Sequence, residues 1–103
     1  MSLDLKPEHA DLVRKILAGR LPAGVSARVF GSRAKGKAKP YSDLDLALKG
    51  DENLSFALLV DVMEAFSESE LPFKVDVLDW RAVAPGFQEV IDRDGVDFWN
   101  GGR

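Results

Sequence analysis

The sequence predicts an α/β protein of the α+β kind, in which helices cover a small mixed β-sheet. Apolar residues recur at helical spacing in three segments, apolar and polar residues alternate in three others, and the two kinds of segment are interleaved. The predicted order is α-β-β-α-β-α. Because helices and sheets must each bury an apolar side, this order predicts helices packed on one sheet, and residues 1–103 are expected to form a single domain.

The three helices are predicted over residues 7–18, 53–66 and 85–94. Pro7 suits the first position of a helix, where a missing N–H has no helical partner to lose. The middle segment is the most regular, with apolar residues at positions 54, 58, 59, 62, 63 and 66. Gly95 follows the last segment and is typical of a helix end. These segments therefore supply the helical layers.

The three strands are predicted over residues 25–30, 43–48 and 73–78, each a short run with alternating apolar residues. Alternate side chains of a strand share one face, so each strand offers an apolar face to the helices. The C-terminal tail has no predicted strand. Its two aromatic residues, Phe98 and Trp99, are expected to pack on the sheet, with a surface for a partner protein as the alternative.

Composition limits the classes of function. The chain has 14 Lys and Arg residues against 17 Asp and Glu residues, a net charge of −3, so no direct contact with nucleic acid is expected. It has no cysteine, which excludes disulfides, thiolate metal sites and a cysteine nucleophile. No apolar run approaches the roughly 20 residues that a membrane helix needs. Residues 1–6 lack the pattern of a signal peptide, and a cytoplasmic protein is predicted.

Three aspartates lie in strands that are otherwise largely apolar. Asp43 and Asp45 share one face of the second predicted strand, and Asp76 lies between Val75 and Val77 of the third. Carboxylates on neighbouring strands repel one another, and either a raised pKa or a bound cation relieves the repulsion. Carboxylate oxygens with no histidine nearby suit magnesium or manganese. The alternative is the polar side of a half-exposed strand for the first two aspartates and a solvated edge charge for Asp76.

A glycine–serine pair follows the first strand and begins a basic loop. Gly31 permits a turn in which an anion can approach the backbone, and Ser32 offers a hydroxyl and an N–H to a phosphate oxygen. Residues 28–39 contain no acidic residue and five basic ones: Arg28, Arg33, Lys35, Lys37 and Lys39. This local excess in an acidic protein indicates an anionic ligand, and a solvated basic loop is the alternative.

The same loop is not a P-loop. Residues 31–37 satisfy G-x-x-x-x-G-K, but the next residue is Ala38, which has no hydroxyl for magnesium. Pro40 blocks the helix that would follow a P-loop. A chain of 103 residues is also too short for the usual multi-stranded P-loop domain. The loop therefore indicates phosphate binding of another kind.

Together these motifs resemble a known family. The glycine–serine pair, ten intervening residues and the Asp43-Leu44-Asp45 triplet are similar to the G-S-x10-D-x-D signature of the polymerase-β-like nucleotidyltransferases. Asp76 resembles their third carboxylate, which lies on a later strand. The similarity covers about residues 25–99 and is greatest to the minimal nucleotidyltransferases. Many of these are antitoxins encoded beside a helical HEPN-domain ribonuclease toxin.

The resemblance implies the polymerase-β-like fold and a catalytic metal centre. Asp43 and Asp45 would bridge two magnesium ions, and Asp76 would complete the site of the ion that activates the attacking hydroxyl. Magnesium would neutralise developing charge and align the attacking and leaving oxygens. These three aspartates are the predicted catalytic and metal-binding residues.

The resemblance also implies ATP as the substrate. Gly31 and Ser32 would anchor the triphosphate, and Arg33 would add positive charge near the phosphates. AMP would pass to a tyrosine hydroxyl of a partner HEPN toxin, with release of pyrophosphate, and the modification would silence the toxin. The two proteins would form a hetero-oligomer.

Two other functions remain open on the sequence. A non-enzymatic antitoxin would neutralise the toxin by binding it, with the carboxylates retained for structure alone. A transferase acting on a small molecule or an RNA end would share the same motifs, although a chain of 103 residues has little room for the domain that would hold such a substrate.

Overall fold

The computed structural model describes residues 3–101. The six predicted elements occur in the predicted order, with a short 3₁₀-helix before the last of them and a further strand after it. In chain order the elements are α1 (Pro7–Arg20), β1 (Ser26–Phe30), β2 (Leu44–Lys49), α2 (Phe56–Ser67), β3 (Val75–Asp79), the 3₁₀-helix (Trp80–Ala82), α3 (Pro85–Asp94) and β4 (Val96–Trp99). None of the helices within residues 3–101 is long and apolar enough to cross a membrane.

The four strands form one mixed sheet in the order β3-β2-β1-β4. β1 is antiparallel to both of its neighbours, whereas β2 and β3 are parallel. The parallel pair follows from the chain path, because α2 carries the chain back to the end of the sheet where β2 began. The register sets Asp45 opposite Phe30 on one side and opposite Asp76 on the other. The predicted small mixed sheet covered by helices is confirmed.

One face of the sheet packs against α1 and α2. Leu44, Leu46 and Leu48 of β2 point to this face and are fully buried, as their alternation predicts. The helices complete the same cluster with Val13, Leu17, Val62 and Phe66. Burial of each leucine contributes about 1.5–3 kcal/mol. β2 is therefore held firmly near the middle of the sheet, and the residues on its other face take up fixed positions.

α3 covers part of the opposite face. The ring of Phe87 meets the ring of Phe30 edge to face, with the centroids 5.7 Å apart, and Ile91 of α3 is fully buried. Arg28, on the same face of β1, forms an ion pair with Asp97 of β4. Helices thus lie on both sides of the sheet, and α3 is held mainly through β1.

The strand β4 is a correction to the predicted order, which ends at the third helix. It pairs with β1 through a register that shifts between Ala27 and Arg28. A four-residue strand directly after Gly95 gives too short an alternation to be recognised as a strand. Phe98 and Trp99 pack against the core, which confirms the expectation that they lie on the sheet.

Several boundaries differ from the predicted ones, and the start of β2 affects the site. β2 begins at Leu44, so Asp43 immediately precedes the strand instead of opening it. α2 begins at Phe56 and not at residue 53, because Ser55 caps the helix: its hydroxyl oxygen accepts a hydrogen bond from the N–H of Leu58 at 3.1 Å. The aspartate before β2 is therefore free of the pairing that fixes the strand itself.

Candidate active site

The turn after β1 is the first part of the site. Gly31 has a φ of +79°, a conformation that residues with a side chain rarely adopt. A Cβ atom at this position would overlap Oδ2 of Asp45, because the preceding residue, Phe30, is paired with Asp45 across the sheet. Two independent reasons therefore favour glycine at this position: the backbone conformation and the adjacent carboxylate.

Ser32 lies in a tight turn that closes on itself. Its carbonyl accepts hydrogen bonds from the N–H groups of Lys35 and Lys37 at 3.2 and 3.0 Å. The carbonyl of Gly31 accepts a third from the N–H of Ala34 at 3.2 Å. These bonds hold Ser32 beside Gly31, and Ser32 itself is only partly buried. The predicted phosphate-binding pair is thus presented at the surface next to Asp45.

Arg33 is directed into the base of the loop. It is 5% exposed, and its guanidinium donates to the carbonyl oxygens of Asp4, Pro40 and Ser42 at 2.8–3.2 Å. It also lies over the ring of Phe73, 4.1 Å from the centroid. This geometry differs from the predicted position beside the phosphates. The guanidinium instead joins the end of the basic loop to the N-terminal segment.

The exposed charge of the basic loop comes from its lysines. Lys35, Lys37 and Lys39 are all exposed. Arg28, like Arg33, has other partners: it pairs with Asp97 of β4 and donates to the main-chain carbonyls of Asp92 in α3 and of Gly95 just after it. Three of the five predicted basic residues are therefore accessible to an anion, and the two arginines have structural contacts.

Asp45 lies at the centre of the predicted carboxylate group. Its direct neighbour across the parallel strands is Asp76, which places the two Cα atoms about 4.8 Å apart. Burial, followed by the charges of Asp76 and Asp43, raises the pKa of Asp45 above its usual range. The fold thus brings all three predicted aspartates close enough for their charges to interact.

Lys74 belongs to the same site and is missing from the predicted set. Its Nζ lies 3.2 Å from Oδ1 of Asp76. The hydrogen bond to Asp76, with the charges of Asp76 and Asp43, raises the pKa of this lysine. The signal that could identify it is its spacing, because residues two apart in extended chain lie on the same side. Its ammonium group partly neutralises the carboxylates.

The chemistry of these carboxylates fits magnesium. They are hard oxygen donors, and a divalent cation would relieve the repulsion from Asp76 and Asp43 that, after burial, raises the pKa of Asp45. Among residues 3–101, no three acidic, histidine or cysteine side chains are already gathered closely enough to hold a metal ion. Magnesium usually keeps water ligands and binds through one or two carboxylates plus substrate phosphates. A phosphate of a bound nucleotide would accordingly add to the ligands that these carboxylates and water offer an ion at this place.

The chain matches known proteins over most of its length. Residues 13–100 match the family model described as polymerase beta, nucleotidyltransferase. The sequence is 48% identical over 89 residues to "Probable protein adenylyltransferase MntA" of Haemophilus influenzae, covering 86% of this chain and 77% of the relative. Its fold is similar to the crystal structure of a toxin–antitoxin with AMP-PNP, with a TM-score of 0.75 and 22% identity over 88% of this chain and 73% of that one.

A second solved structure has the same fold. It is the complex of tri-AMPylated Shewanella oneidensis HEPN toxin with MNT antitoxin, which this chain matches with a TM-score of 0.67 and 20% identity. The match covers 88% of this chain and 69% of that one.

Proposed function

Because this chain belongs to the polymerase-β nucleotidyltransferase family, in the branch that includes MntA, we propose that it transfers AMP from ATP to a hydroxyl of a partner protein. The family resemblance predicted from the motifs is thereby confirmed. The proposed acceptor is a tyrosine of a cognate HEPN-type toxin, and its modification silences the toxin. The reaction needs ATP, so the proposal includes a cytoplasmic location.

The observation that supports the proposal most directly is the position of Asp45. It lies against Gly31 of the glycine–serine turn and beside Asp76 on the parallel strand. A phosphate held by the turn would be next to these carboxylates, and the two kinds of anion repel each other. A shared divalent cation converts that repulsion into attraction. A complex of a nucleotide with a metal ion is therefore the ligand that suits both the glycine–serine turn and the carboxylates.

Every predicted residue of the site except Arg33 has a proposed role at the nucleotide or the metal. Gly31 lets the triphosphate approach the backbone, and Ser32 donates its N–H and hydroxyl to phosphate oxygens. Asp43, Asp45 and Asp76 would hold two magnesium ions, which when bound neutralise the charge that develops on the phosphate oxygens. The exposed lysines of the loop add positive charge around the triphosphate.

The transfer forms one bond and breaks another at the α-phosphorus of ATP. The acceptor oxygen attacks that phosphorus, the bond to the oxygen between the α- and β-phosphates breaks, and pyrophosphate leaves. We assign the acceptor hydroxyl to the side of Asp76, whose side chain is 45% exposed and can accept the hydroxyl proton. Lys74 competes for Asp76, because its Nζ contacts one oxygen of the same carboxylate.

The test is transfer of label from ATP, labelled at the α-phosphate, to the proposed HEPN-type partner in the presence of magnesium. The unchanged protein is expected to label the partner. Asp45→Asn should lower the rate at least about 100-fold, since even residues that only orient metal ligands cost 10–100-fold when changed. Glu89→Gln is the matched control, because Glu89 is an exposed acid on α3, and it should leave the rate unchanged.

A protein that neutralises the toxin by binding alone would give other results. It would block the ribonuclease activity of the partner without ATP, and Asp45→Asn would block it equally well. No label transfer by the unchanged protein, or equal transfer by Asp45→Asn, would contradict the proposed transferase.

A further inference from the structure

A cavity lies on the face of the sheet that carries Asp45 and Asp76, next to α3. It has a volume of about 320 Å³, which is within the range of ligand-binding cavities. Its lining residues come from β1, β2, β4, α3 and the 3₁₀-helix: Ser26, Arg28, Ala47, Lys49, Trp80, Asp92 and Asp97. None of them is one of the three aspartates or belongs to the glycine–serine pair.

The strand β2 connects this cavity with the proposed metal site. Asp45, Ala47 and Lys49 are spaced by two residues, so their side chains share one face of the strand. Ala47 therefore lies about 6.6 Å beyond Asp45 along β2. The side chain of Ala47 is a single methyl group, which leaves room above the strand. A nucleotide whose α-phosphate is at Asp45 can therefore extend its nucleoside along β2 to the cavity.

The helix α3 leaves this route open. It is held mainly through β1, which lies beside β2 on the side away from β3. On β2 and β3, the side chains of Asp45, Asp76 and Leu78 remain only partly buried. The part of the sheet between the carboxylates and the cavity is therefore accessible to a ligand.

Two buried nitrogens of the cavity residues have no hydrogen-bond partner. They are Nε of Arg28 and Nε1 of Trp80. Each carries an N–H that can only donate. Buried donors are nearly always paired in folded proteins. These two donors therefore indicate a ligand that supplies hydrogen-bond acceptors to the cavity.

Trp80 is held in place by its neighbours. Its carbonyl accepts a hydrogen bond from Nε2 of Gln88 in α3 at 2.9 Å. The Nζ of Lys49 lies over the indole, 4.0 Å from the ring centroid. A donor that is already fixed loses little conformational freedom when a ligand binds. The Nε1–H of Trp80 is therefore well suited to recognise a ligand.

The charges around the cavity balance at neutral pH. Arg28 and Lys49 are positive, whereas Asp92 and Asp97 are negative, and Arg28 forms an ion pair with Asp97. A balanced site of this kind suits a neutral ligand that both accepts and donates hydrogen bonds. Adenine is such a ligand, because its ring nitrogens accept and its amino group donates.

We propose that the cavity binds the adenine of ATP while the triphosphate lies at the glycine–serine turn and the carboxylates. The inference rests on the proposed AMP transfer, in which ATP is the donor. The Nε1–H of Trp80 donates to a ring nitrogen of adenine. The carboxylate of Asp92 accepts from the amino group, since that of Asp97 is paired with Arg28. The cavity thus selects the base, whereas the turn and the carboxylates hold any nucleoside triphosphate.

The first test compares the two tryptophans of the chain. Trp80→Phe keeps an aromatic ring in the cavity and removes the N–H, whereas Trp99→Phe makes the same change in β4, outside the cavity. Calorimetry with magnesium measures the Kd for ATP and for tripolyphosphate, which has no base. Trp80→Phe is expected to raise the Kd for ATP about three- to tenfold, the effect of one hydrogen bond, and to leave the Kd for tripolyphosphate unchanged. Trp99→Phe should change neither Kd.

Tryptophan fluorescence reports on the cavity directly. In the Trp99→Phe variant, Trp80 is the one remaining tryptophan. With magnesium present, ATP should quench its emission, excited at a wavelength that adenine does not absorb, because the base contacts the indole. Tripolyphosphate with magnesium should not quench it.

A second nucleotide tests the role of Asp92. ITP has a carbonyl where ATP has the amino group, so the carboxylate of Asp92 would face an acceptor instead of a donor. ITP is therefore expected to bind the unchanged protein about three- to tenfold more weakly than ATP. Equal affinity for ITP and ATP would contradict recognition of the amino group.

The other outcomes separate the cavity from the proposed reaction. An unchanged Kd for ATP in Trp80→Phe, or an equal loss of affinity for ATP and tripolyphosphate, would overturn the contact with the base. A raised KM for the acceptor protein with an unchanged Kd for ATP would mean that the cavity holds a side chain of the acceptor. None of the binding measurements needs an acceptor. ATP that quenches Trp80 in a protein that transfers no AMP would contradict the transferase and support the cavity as a nucleotide site.

Discussion

The carboxylate of Asp45 lies where a side chain on residue 31 would have to start, so a Cβ atom in place of the hydrogen of Gly31 would overlap it. The contact follows from the sheet, because Phe30 and Asp45 are paired and Gly31 is the next residue along. It joins the glycine–serine pair and the D-x-D motif, which are separated by ten residues in the sequence. The spacing between the motifs is therefore the length of loop that returns the chain from β1 to the start of β2.

Gly31→Ala is expected to lose both stability and activity. Positive φ costs a residue with a Cβ atom about 1–2 kcal/mol, and the new methyl group must also push Asp45 aside. Gly24→Ala is a matched control, because Gly24 has a φ of +90° and nothing within 4 Å of an added Cβ. It should lose similar stability and keep AMP transfer. Chemical denaturation measures the first effect and labelled ATP the second. Full activity in folded Gly31→Ala protein would contradict a role for this contact.

Asp45→Asn is expected to stabilise the metal-free protein at neutral pH. Burial and the charges of Asp76 and Asp43 raise the pKa of Asp45, so the folded protein binds this proton more tightly than the unfolded chain does. The free energy of unfolding therefore falls as the pH rises through the raised pKa. Asparagine does not titrate, so the free energy of unfolding of the variant should exceed that of the unchanged protein by more and more as the pH rises from acid to neutral. At pH values below the ordinary pKa of an aspartate the gain should vanish.

Thermal unfolding with EDTA across that pH range measures the difference in stability. Added magnesium should reduce this difference in stability at neutral pH, because the cation binds and stabilises only the protein with the charged carboxylate. An advantage of Asp45→Asn that is larger at acid pH than at neutral pH would show that the carboxyl is stabilised in its charged form, against the expected sign.

The parts of the site that sequence can predict depend on local spacing. The alternation in β2 places Leu44 and Leu46 in the core and leaves Asp45 on the other face, as the structure confirms. Gly31 could also be singled out, because only glycine adopts its backbone conformation easily. Neither inference needs any knowledge of which strand pairs with which. Local spacing does not show which strands are neighbours in the sheet.

The contacts that were not predicted all depend on tertiary structure. Arg33 bonds to main-chain carbonyls of Asp4 and Ser42, and every residue has a carbonyl, so no sequence pattern marks these acceptors. Lys74 resembles any solvated strand residue until Asp76 is placed two residues along on the same side. β4 is recognisable only through its pairing with β1. Long-range pairing decides each of these features, and a four-residue alternation cannot predict it.

Arg33→Lys is expected to destabilise the fold by about 2–4 kcal/mol. Its guanidinium donates to three carbonyl groups at once, and an ammonium group cannot reproduce that planar arrangement. The KM for ATP of the folded variant should change little. Lys37→Ala is the control, because Lys37 is exposed on the same loop; it should leave stability unchanged. Urea denaturation and initial rates supply the two measurements. Unchanged stability with a raised KM for ATP would instead put Arg33 next to the phosphates.

Lys74→Gln is expected to tighten binding of magnesium in the absence of nucleotide. The Nζ of Lys74 lies 3.2 Å from Asp76, so an incoming cation must displace it or share the carboxylate with another positive charge. The pair is exposed and screened by water, which limits the gain to a few-fold and makes it smaller at high salt. Lys35→Gln removes a lysine that pairs with Asp94 instead, and it should leave magnesium affinity nearly unchanged.

A double-mutant cycle separates this contact from the general charge of the protein. If Lys74 competes with the metal through Asp76, then Lys74→Gln should have no effect in an Asp76→Asn background, because the shared carboxylate is gone. Calorimetric titration with magnesium measures all four proteins of the cycle. Tighter binding that persists without Asp76 would mean that Lys74 acts on Asp43 and Asp45 through long-range repulsion of the cation. Weaker binding after Lys74→Gln alone would mean that the ammonium group holds the carboxylates in place for the metal, the opposite of competition.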